Sequence, residues 1–396
     1  MSSRSRNRLV MSRMNRRQFL GRAGVFAGAV ALGPSVLAAC GDDDEPGSSG
    51  TTGTTVASKT LVISNWPLYI DPTEDGVTGS VDLFAEATGL DVTYTEDIND
   101  NNELFATIQP VLSQGNRIDQ DIIVPTGWMA ARLIRLGWLE ELPFDEIPNA
   151  ANLTANLQNP AWDPDGKYSL PWQSGFAGIA YNLEAAGREL RSTEDLFDPE
   201  FAGKIGFLSE MRDSLGLVYQ AEGKNLADIT FDDAQDALDR IEAAARDGQI
   251  RQFTGNDYQD DLVAGNFVAC VGWSGDVVQL ALDNPNLRFV IPEEGGTLWS
   301  DTMVVPKGAR NIANAAKWMD YCYDPENAAR IAAWVNYISP VDGVREILAT
   351  DPETAALAES ELMFPADDVN VTAFPPLDDE QEQQFDERWA TITEGA

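Results

Sequence analysis

Trp299 and Asp301 lie two positions apart in the segment PEEGGTLWSDTMVVP, residues 292–306. A flat aromatic face beside an ionised carboxylate suits an organic cation with methylene groups, because the ring attracts positive charge and the carboxylate accepts a charge-assisted hydrogen bond. Gly295 and Gly296 let the backbone bend close to a bound group, so we expect the pair in a loop or at an edge just before a strand. Burial of the tryptophan in a core fits this segment as well, and the segment alone leaves both interpretations open.

The complete absence of histidine limits the chemistry of this 396-residue chain. It removes the most common general acid and base together with the most common transition-metal ligand, and it excludes Ser-His-Asp and Cys-His catalysis. This limit favours a protein that is not an enzyme and that uses no cofactor and no metal, and an enzyme that uses only carboxylates stays open. Cys270 and Cys322 lie in apolar or helical patterns typical of buried free thiols, and a disulfide between them stays open.

The formal charge of −37 indicates which partners this protein can attract. All seven basic residues of the first 39 positions are arginines and no acid lies among them, so the remaining chain carries 20 basic against 64 acidic residues, or −44. Nucleic acid is excluded as a partner, because binding it requires basic side chains that neutralise phosphates. The electric field of such an acidic protein concentrates cations near its surface. An acidic surface is also explained by a need for solubility or by a salty environment.

The N-terminus has the pattern of an export signal. Arg16 and Arg17, in NRRQFL, resemble the paired arginines of a twin-arginine signal, and an apolar run of small residues follows. LAACG, residues 37–41, resembles a lipoprotein cleavage site, which predicts residues 1–39 as a signal peptide and a lipid anchor on Cys40. Ordinary cleavage beside an incidental cysteine is the alternative. Residues 40–58 are acidic and rich in Gly, Ser and Thr, which predicts a flexible tether.

Strand and helix patterns alternate from residue 60 onward. Helical periodicity covers residues 104–112, 234–245 and 312–323, and short apolar runs such as LVISNW, DIIVP, KIGFL and NFVACVGW lie between and around these helices. This alternation predicts an α/β protein with mainly parallel sheets and two lobes. In such folds ligands bind beyond the carboxyl ends of strands. Trp66, Thr126, Trp128 and Trp273 lie at or just after the ends of predicted strands, which indicates a cleft between the lobes.

Several segments, in this order, resemble the spermidine/putrescine-binding proteins of polyamine ABC transporters, which have the type II periplasmic-binding-protein fold. The segments are LVISNWPLYI, DIIVPTGWMAARL, YSLPWQSGFAGIAYN, FLSEMRDSLG, VGWSGD, EEGGTLWSD and WVNYISPVDG. The resemblance covers most of residues 60–350. It implies a two-lobed α/β fold in which residues 59–175 and 300–345 form lobe 1, and residues 176–299 and 346–396 form lobe 2.

The resemblance also implies a set of ligand-binding residues. They are Trp66, Tyr69, Thr126, Trp128, Glu210, Asp213, Trp273, Trp299, Asp301 and Tyr337. Glu210 and Asp213 are three residues apart and would share a helix face, yet acids in a first helical turn behind a capping Ser209 explain them equally well. The segment TAFPPL lacks the glutamine-type contact expected near the C-terminal end of the family pattern, so we expect a different pocket end there. Asn65, Gln173 and Asp276, beside the matched positions, are further candidates.

These observations favour a monomeric substrate-binding lipoprotein of an ABC importer. It would lie outside the cytoplasmic membrane, capture a polyamine between its lobes and deliver it to a membrane permease. One alternative keeps the fold and changes the ligand to another cationic or small polar solute. The other is an exported glycosidase that uses two carboxylates and no histidine.

Overall fold

The computed structural model describes residues 58–74 and 76–395, so the predictions for the signal peptide, for Cys40 and for the tether up to residue 57 lie outside the described residues. The strands are β1 (Thr60–Asn65), β2 (Asp91–Glu96), β3 (Ile122–Ile123), β4 (Ser169–Asn182), β5 (Ile205–Leu208), β6 (Ile250–Thr254), β7 (Ala269–Trp273), β8 (Leu287–Val290), β9 (Gly296–Val304) and β10 (Val371–Ala373). The α-helices are α1 (Ser80–Thr88), α2 (Asn101–Leu112), α3 (Gly127–Arg135), α4 (Leu183–Ala186), α5 (Met211–Ala221), α6 (Gln235–Arg246), α7 (Tyr258–Ala264), α8 (Ser274–Asp283), α9 (Ile312–Cys322), α10 (Pro325–Val335), α11 (Val344–Thr350) and α12 (Asp379–Glu394).

The strands form one continuous path in the order β2-β1-β3-β9-β4-β7-β5-β6, with β10 beside β9 and β8 beside β4. Strand β1 pairs in parallel with β2 and β3 at one end, and β5 pairs in parallel with β6 and β7 at the other. Strands β4 and β9 join these two parallel groups through antiparallel pairing. The predicted α/β fold is confirmed, with parallel outer strands and antiparallel central ones.

Strands β4 and β9 carry the chain between the two lobes. They pair from Ser169 opposite Val304 to Ala177 opposite Thr297, and the register shifts between Pro171 and Gln173. Proline has no amide hydrogen to donate to a ladder, which accounts for an irregularity at this point. Trp299 and Asp301 therefore lie inside a nine-residue strand, not in a loop or edge before it as the glycines indicated.

Each lobe has its own apolar core. One core contains β1 and β3 side chains together with α9 and α10, and the other contains β5, β7 and α6 with α12. A further cluster lies on the opposite face of the sheet where β3 and β9 pair, and it contains side chains of α2 and α3. Cys270 and Cys322 are free and buried, one in each core, which confirms the predicted thiols.

The packing of the C-terminal segment bears on where the chain returns to lobe 2. Leu348, Ala358 and Met363 pack in the lobe 1 core, whereas Leu377 and Phe385 pack in the lobe 2 core. We therefore propose that lobe 1 extends to residue 363 instead of residue 345, and that the chain crosses back before β10. Within residues 58–74 and 76–395, no helix has the length and apolar character needed to cross a membrane.

Candidate functional site

A cavity of about 350 Å³ lies between the lobes, and all ten predicted site residues line it. Lobe 1 contributes Trp66, Tyr69, Thr126, Trp128 and Tyr337, lobe 2 contributes Glu210, Asp213 and Trp273, and the connecting strand β9 contributes Trp299 and Asp301. The structure thus brings together residues that are separated by up to 271 positions in the sequence. Their contact with a ligand stays a prediction.

Asp301 is a buried carboxylate with only 5% of its surface exposed. Tyr69 Oη donates to one of its oxygens at 3.0 Å, and Thr126 Oγ1 donates to the other at 2.7 Å. Burial raises the pKa of Asp301 to about 7 although both hydrogen bonds lower it. Among the described residues no lysine or arginine forms an ion pair with Asp301. The site therefore holds a carboxylate that a cation would stabilise.

Asn101 fixes the hydroxyl of Thr126 in this arrangement. Asn101 Nδ2 donates to Thr126 Oγ1 at 2.9 Å, and the Thr126 amide donates to Asn101 Oδ1 at 3.0 Å. Thr126 Oγ1 accepts one hydrogen bond and donates the other, so its proton points towards Asp301. Sequence reasoning missed Asn101, which opens α2 directly after the capping residue Asp100.

Asp213 forms a second buried carboxylate site in lobe 2. Trp273 Nε1 donates to its Oδ2 at 2.8 Å, and Thr297 Oγ1 donates to its Oδ1 at 2.6 Å. Burial raises the pKa of Asp213, against the lowering effect of these hydrogen bonds. The Trp273 ring is thereby held in one orientation against the cavity.

Glu210 is both a helix cap and a residue of the cavity. Its side chain accepts from the Arg212 amide at 3.1 Å and caps α5, so the capping role expected for Ser209 falls to its neighbour. Ser209 Oγ instead donates to Asp100 Oδ2 across the lobes at 2.7 Å. Burial raises the pKa of Glu210 to about 7, although the Arg212 guanidinium 3.7 Å away lowers it.

Aromatic rings form a continuous wall around these carboxylates. Ring centroids of Trp66 and Trp273 lie 6.2 Å apart, those of Trp273 and Trp299 6.5 Å, and those of Trp299 and Tyr337 5.1 Å. Tyr69 continues the wall at 5.4 Å from Tyr337. All four contacts are edge-to-face, so each covers a face of one ring and only the edge of the other. Trp273 and Trp299 remain partly exposed, and their uncovered surface can pack against methylene groups and positive charge.

Asp276 supports the wall from behind Tyr337. Tyr337 Oη donates to Asp276 Oδ1 at 2.6 Å, while Tyr258 Oη and Gln259 Nε2 donate to its other oxygen at 3.0 and 2.9 Å. Burial raises the pKa of Asp276 to about 6 despite these three donors. A glycine makes room for the ring, because a Cβ atom on Gly275 would lie 2.6 Å from Tyr337.

The other end of the cavity has a different composition. The Arg212 guanidinium lies 3.7 Å from the centre of the Trp128 ring, on a ring face that a ligand cation would otherwise need. Phe374, Pro375 and Pro376 line the cavity nearby, where the sequence lacks the expected glutamine-type contact. Across residues 58–74 and 76–395, no group of three or more acidic or cysteine side chains is placed to hold a metal ion.

The model of the family of bacterial extracellular solute-binding proteins matches residues 80–362. The chain belongs to this family. This solute-binding protein is 25% identical over 350 residues to spermidine/putrescine-binding periplasmic protein 1 of Haemophilus influenzae, covering 87% of this chain and 91% of that relative. It is 28% identical over 339 residues to the putrescine-binding periplasmic protein PotF of Escherichia coli, covering 80% of this chain and 86% of PotF.

Solved structures agree with these relatives. A putative spermidine/putrescine ABC transporter protein from Listeria monocytogenes superposes with a TM-score of 0.74 at 27% identity, covering 86% of this solute-binding protein and all of that chain. A PotD substrate-binding protein from Streptococcus pneumoniae gives a TM-score of 0.68 at 26% identity, with 85% and 98% covered. The resemblance found in the sequence is confirmed.

Proposed function

We propose that this protein is the substrate-binding component of an ABC importer and captures a linear polyamine, spermidine or putrescine, between its lobes. The buried carboxylate of Asp301 carries this proposal, since it has only neutral hydrogen-bond donors and stands in a wall of aromatic rings. An ammonium group placed there would gain a charge-assisted hydrogen bond, and the adjoining methylene groups would pack on the rings.

A second carboxylate supports a ligand with more than one ammonium group. Asp213 lies in lobe 2 and Asp301 on the connecting strand, and both face the same cavity. Burial raises the pKa of both carboxylates, and the charge of Asp213 raises the pKa of Asp301 further. Two ligand cations would therefore neutralise more buried negative charge than one. The names of the relatives agree, because they are described as binding spermidine or putrescine.

We also propose the cellular setting predicted from the sequence. Cys40 would carry the lipid that anchors the protein outside the cytoplasmic membrane. The protein would act as a monomer, and its closed lobes would present the ligand to a permease. Binding, without turnover, is the whole activity that we propose. An exported glycosidase is the weaker alternative, because the curated relatives are named as binding proteins and the similar solved structures as proteins of ABC transporters.

Isothermal titration of the full-length protein in detergent tests this proposal. Putrescine, spermidine, lysine and a disaccharide are each titrated into the same preparation. We expect saturable heat with one ligand per protein for a polyamine, and little or none for the disaccharide. Absence of heat with both polyamines refutes the proposal, and stronger binding of lysine redirects it to another cationic solute.

A further inference from the structure

Ion pairs join the two lobes at one edge of the cavity. Arg132 of α3, in lobe 1, lies 2.5 Å from Asp386 and 3.2 Å from Glu382 of α12. Arg135, one turn further along α3, pairs with Asp379 at 3.1 Å and also with Glu382. These contacts link α3 directly to the C-terminal helix.

Helix α12 is firmly part of lobe 2, so the ion pairs with α3 connect different bodies. Phe385 and Trp389 pack in the lobe 2 core, and Trp389 Nε1 donates to the Ser209 carbonyl at 2.7 Å. Arg388 pairs with Asp239 and Glu242 of α6. Separation of the lobes would therefore break the contacts between α3 and α12 and leave the rest of α12 in place.

Glu382 is the centre of this cluster. Its Oε1 lies 3.2 Å from Arg132 and 3.4 Å from Arg212, and its Oε2 pairs with Arg135. Only 7% of Glu382 is exposed. Both carboxylate oxygens are thus engaged by guanidinium groups, which already neutralise the charge that a ligand ammonium would need, although the residue borders the cavity.

Arg212 and Trp128 form the aromatic part of the same contact. Arg212 belongs to α5 in lobe 2 and Trp128 to α3 in lobe 1, and the guanidinium lies on the ring at 3.7 Å. Three of the 20 basic residues that follow position 39 meet at Glu382, in a chain with 64 acids. This concentration of scarce positive charge opposes the repulsion between two acidic lobes.

We propose that Glu382 is a positioning residue for ligand binding: it holds the lobes closed by pairing with Arg132 and Arg135 of lobe 1, it fixes Arg212 of its own lobe against the Trp128 ring, and it does not touch the ligand. Trp128 then serves as the surface on which Arg212 closes, rather than as a platform for the ligand. This inference rests on the proposed binding of a polyamine. Loss of the cluster should release the ligand faster without slowing its first encounter with the open cleft.

The variant Glu382→Gln in the full-length protein tests the role of the cluster. The matched control is Glu380→Gln, which removes one negative charge from an exposed position on the same helix. Putrescine binding is followed by stopped-flow tryptophan fluorescence. We expect the dissociation rate constant of Glu382→Gln to rise about 10- to 100-fold, while its association rate constant stays within about twofold and the control resembles the unchanged protein.

The double variant Arg132→Met/Glu382→Gln separates closure from damage to the fold. It leaves fewer unpaired buried charges, so its effect on dissociation should be smaller than the product of the two single effects. The proposal would be overturned if the effect of the double variant on the dissociation rate constant equals the product of the two single effects. It would also be overturned if the association rate constant falls by the same factor as the dissociation rate constant rises.

Amide exchange gives a readout that does not depend on the ligand. The Asn256 amide donates to the Asn99 carbonyl across the lobes at 3.1 Å, so its protection from exchange reports closure. We expect faster exchange around residue 256 in Glu382→Gln than in Glu380→Gln. Equal exchange in both variants, with and without putrescine, rejects the role of Glu382 in holding the lobes closed. Absence of heat when putrescine is titrated into the unchanged protein rejects the proposed function alone.

Discussion

Replacing Asp301 with asparagine should strengthen the empty fold and weaken ligand binding at the same time. The substitution removes a charge that is 5% exposed and keeps the shape of the side chain. Burial raises the pKa of Asp301 from 3.8 to about 7, so the ionised form destabilises the folded state. The folded state keeps its full stability below pH 3.8, where Asp301 is protonated in both states. It loses stability as the pH rises towards and through 7, because the buried group must then ionise.

The size of the stability gain follows from that pKa. About three pKa units at roughly 1.4 kcal/mol each give about 4 kcal/mol at pH 8. The hydroxyls of Tyr69 and Thr126 both donate to the carboxylate, but an asparagine has only one oxygen that can accept, so its NH₂ group must face one of these two donors. The weaker hydrogen bond at that position should remove about half of the gain. We therefore expect the free energy of unfolding of the ligand-free protein to rise by about 2 kcal/mol at pH 8.

Ligand affinity should change in the opposite direction. Removing the partner of a buried ammonium costs about 2 to 5 kcal/mol, which corresponds to a dissociation constant that is about 30-fold to several thousandfold higher. Urea unfolding of the empty protein and calorimetric titration with putrescine and spermidine measure the two effects on one preparation. Asp368→Asn is the control, because Asp368 is exposed and outside the cavity.

The two measurements together can refute this reasoning. Unchanged affinity in Asp301→Asn would remove the residue from the binding site and leave the fold assignment intact. A simultaneous loss of stability and affinity would show that Asp301 acts as a structural hydrogen-bond acceptor rather than as an unpaired charge waiting for a cation.

Three further predictions concern the same cavity. Since burial raises the pKa of Asp301 and of Glu210 to about 7, titrations at pH 6 should give a dissociation constant about tenfold higher than at pH 8 for each group that the ligand needs ionised, and equal constants would contradict this. Thr126→Val removes the hydroxyl that donates to Asp301 and should weaken binding about tenfold by calorimetry, whereas an unchanged constant would show that this hydrogen bond does not prepare the site. Gly275→Ala places a methyl group 2.6 Å from the Tyr337 ring and should lower the free energy of unfolding by about 1 to 3 kcal/mol in urea, and full stability would show that the ring can move away.

Part of the cavity lining could be predicted from strand patterns, and the rest, including Tyr69, Glu210, Asp213 and Tyr337, only from the resemblance to polyamine-binding proteins. Trp66 and Trp273 are found where two strand patterns end, and the carboxyl ends of parallel strands meet at one edge. Their types, aromatic beside acidic, then indicate a cation. The three long helical patterns are confirmed as α2, α6 and α9 for a similar reason, since a period of 3.6 is a local property.

Features that depend on distant pairing gave no local signal. Arg212 reaches Trp128 and Glu382 across 84 and 170 positions, so no spacing in the sequence announces the cluster between the lobes. The glycines at 295 and 296 predict a turn and hence a shorter β9, but the strand begins at Gly296, which pairs with Val371 of β10, and from Thr297 onward β9 pairs with the long strand β4. The later return of the chain to lobe 2 that we propose also has no local signal, since packing rather than composition decides which core a helix joins.

The position of Asp301 on a connecting strand has a consequence for the order of capture. If the lobes turn about the connecting strands β4 and β9, opening moves Trp66 and Asp213 apart, while Asp301 on β9 keeps its hydrogen bonds to Tyr69 and Thr126 of lobe 1. An arriving cation would meet this carboxylate at the bottom of an open cleft, before either lobe has enclosed it. Recognition of charge would then precede recognition of length, and a wrong cation could leave before closure began.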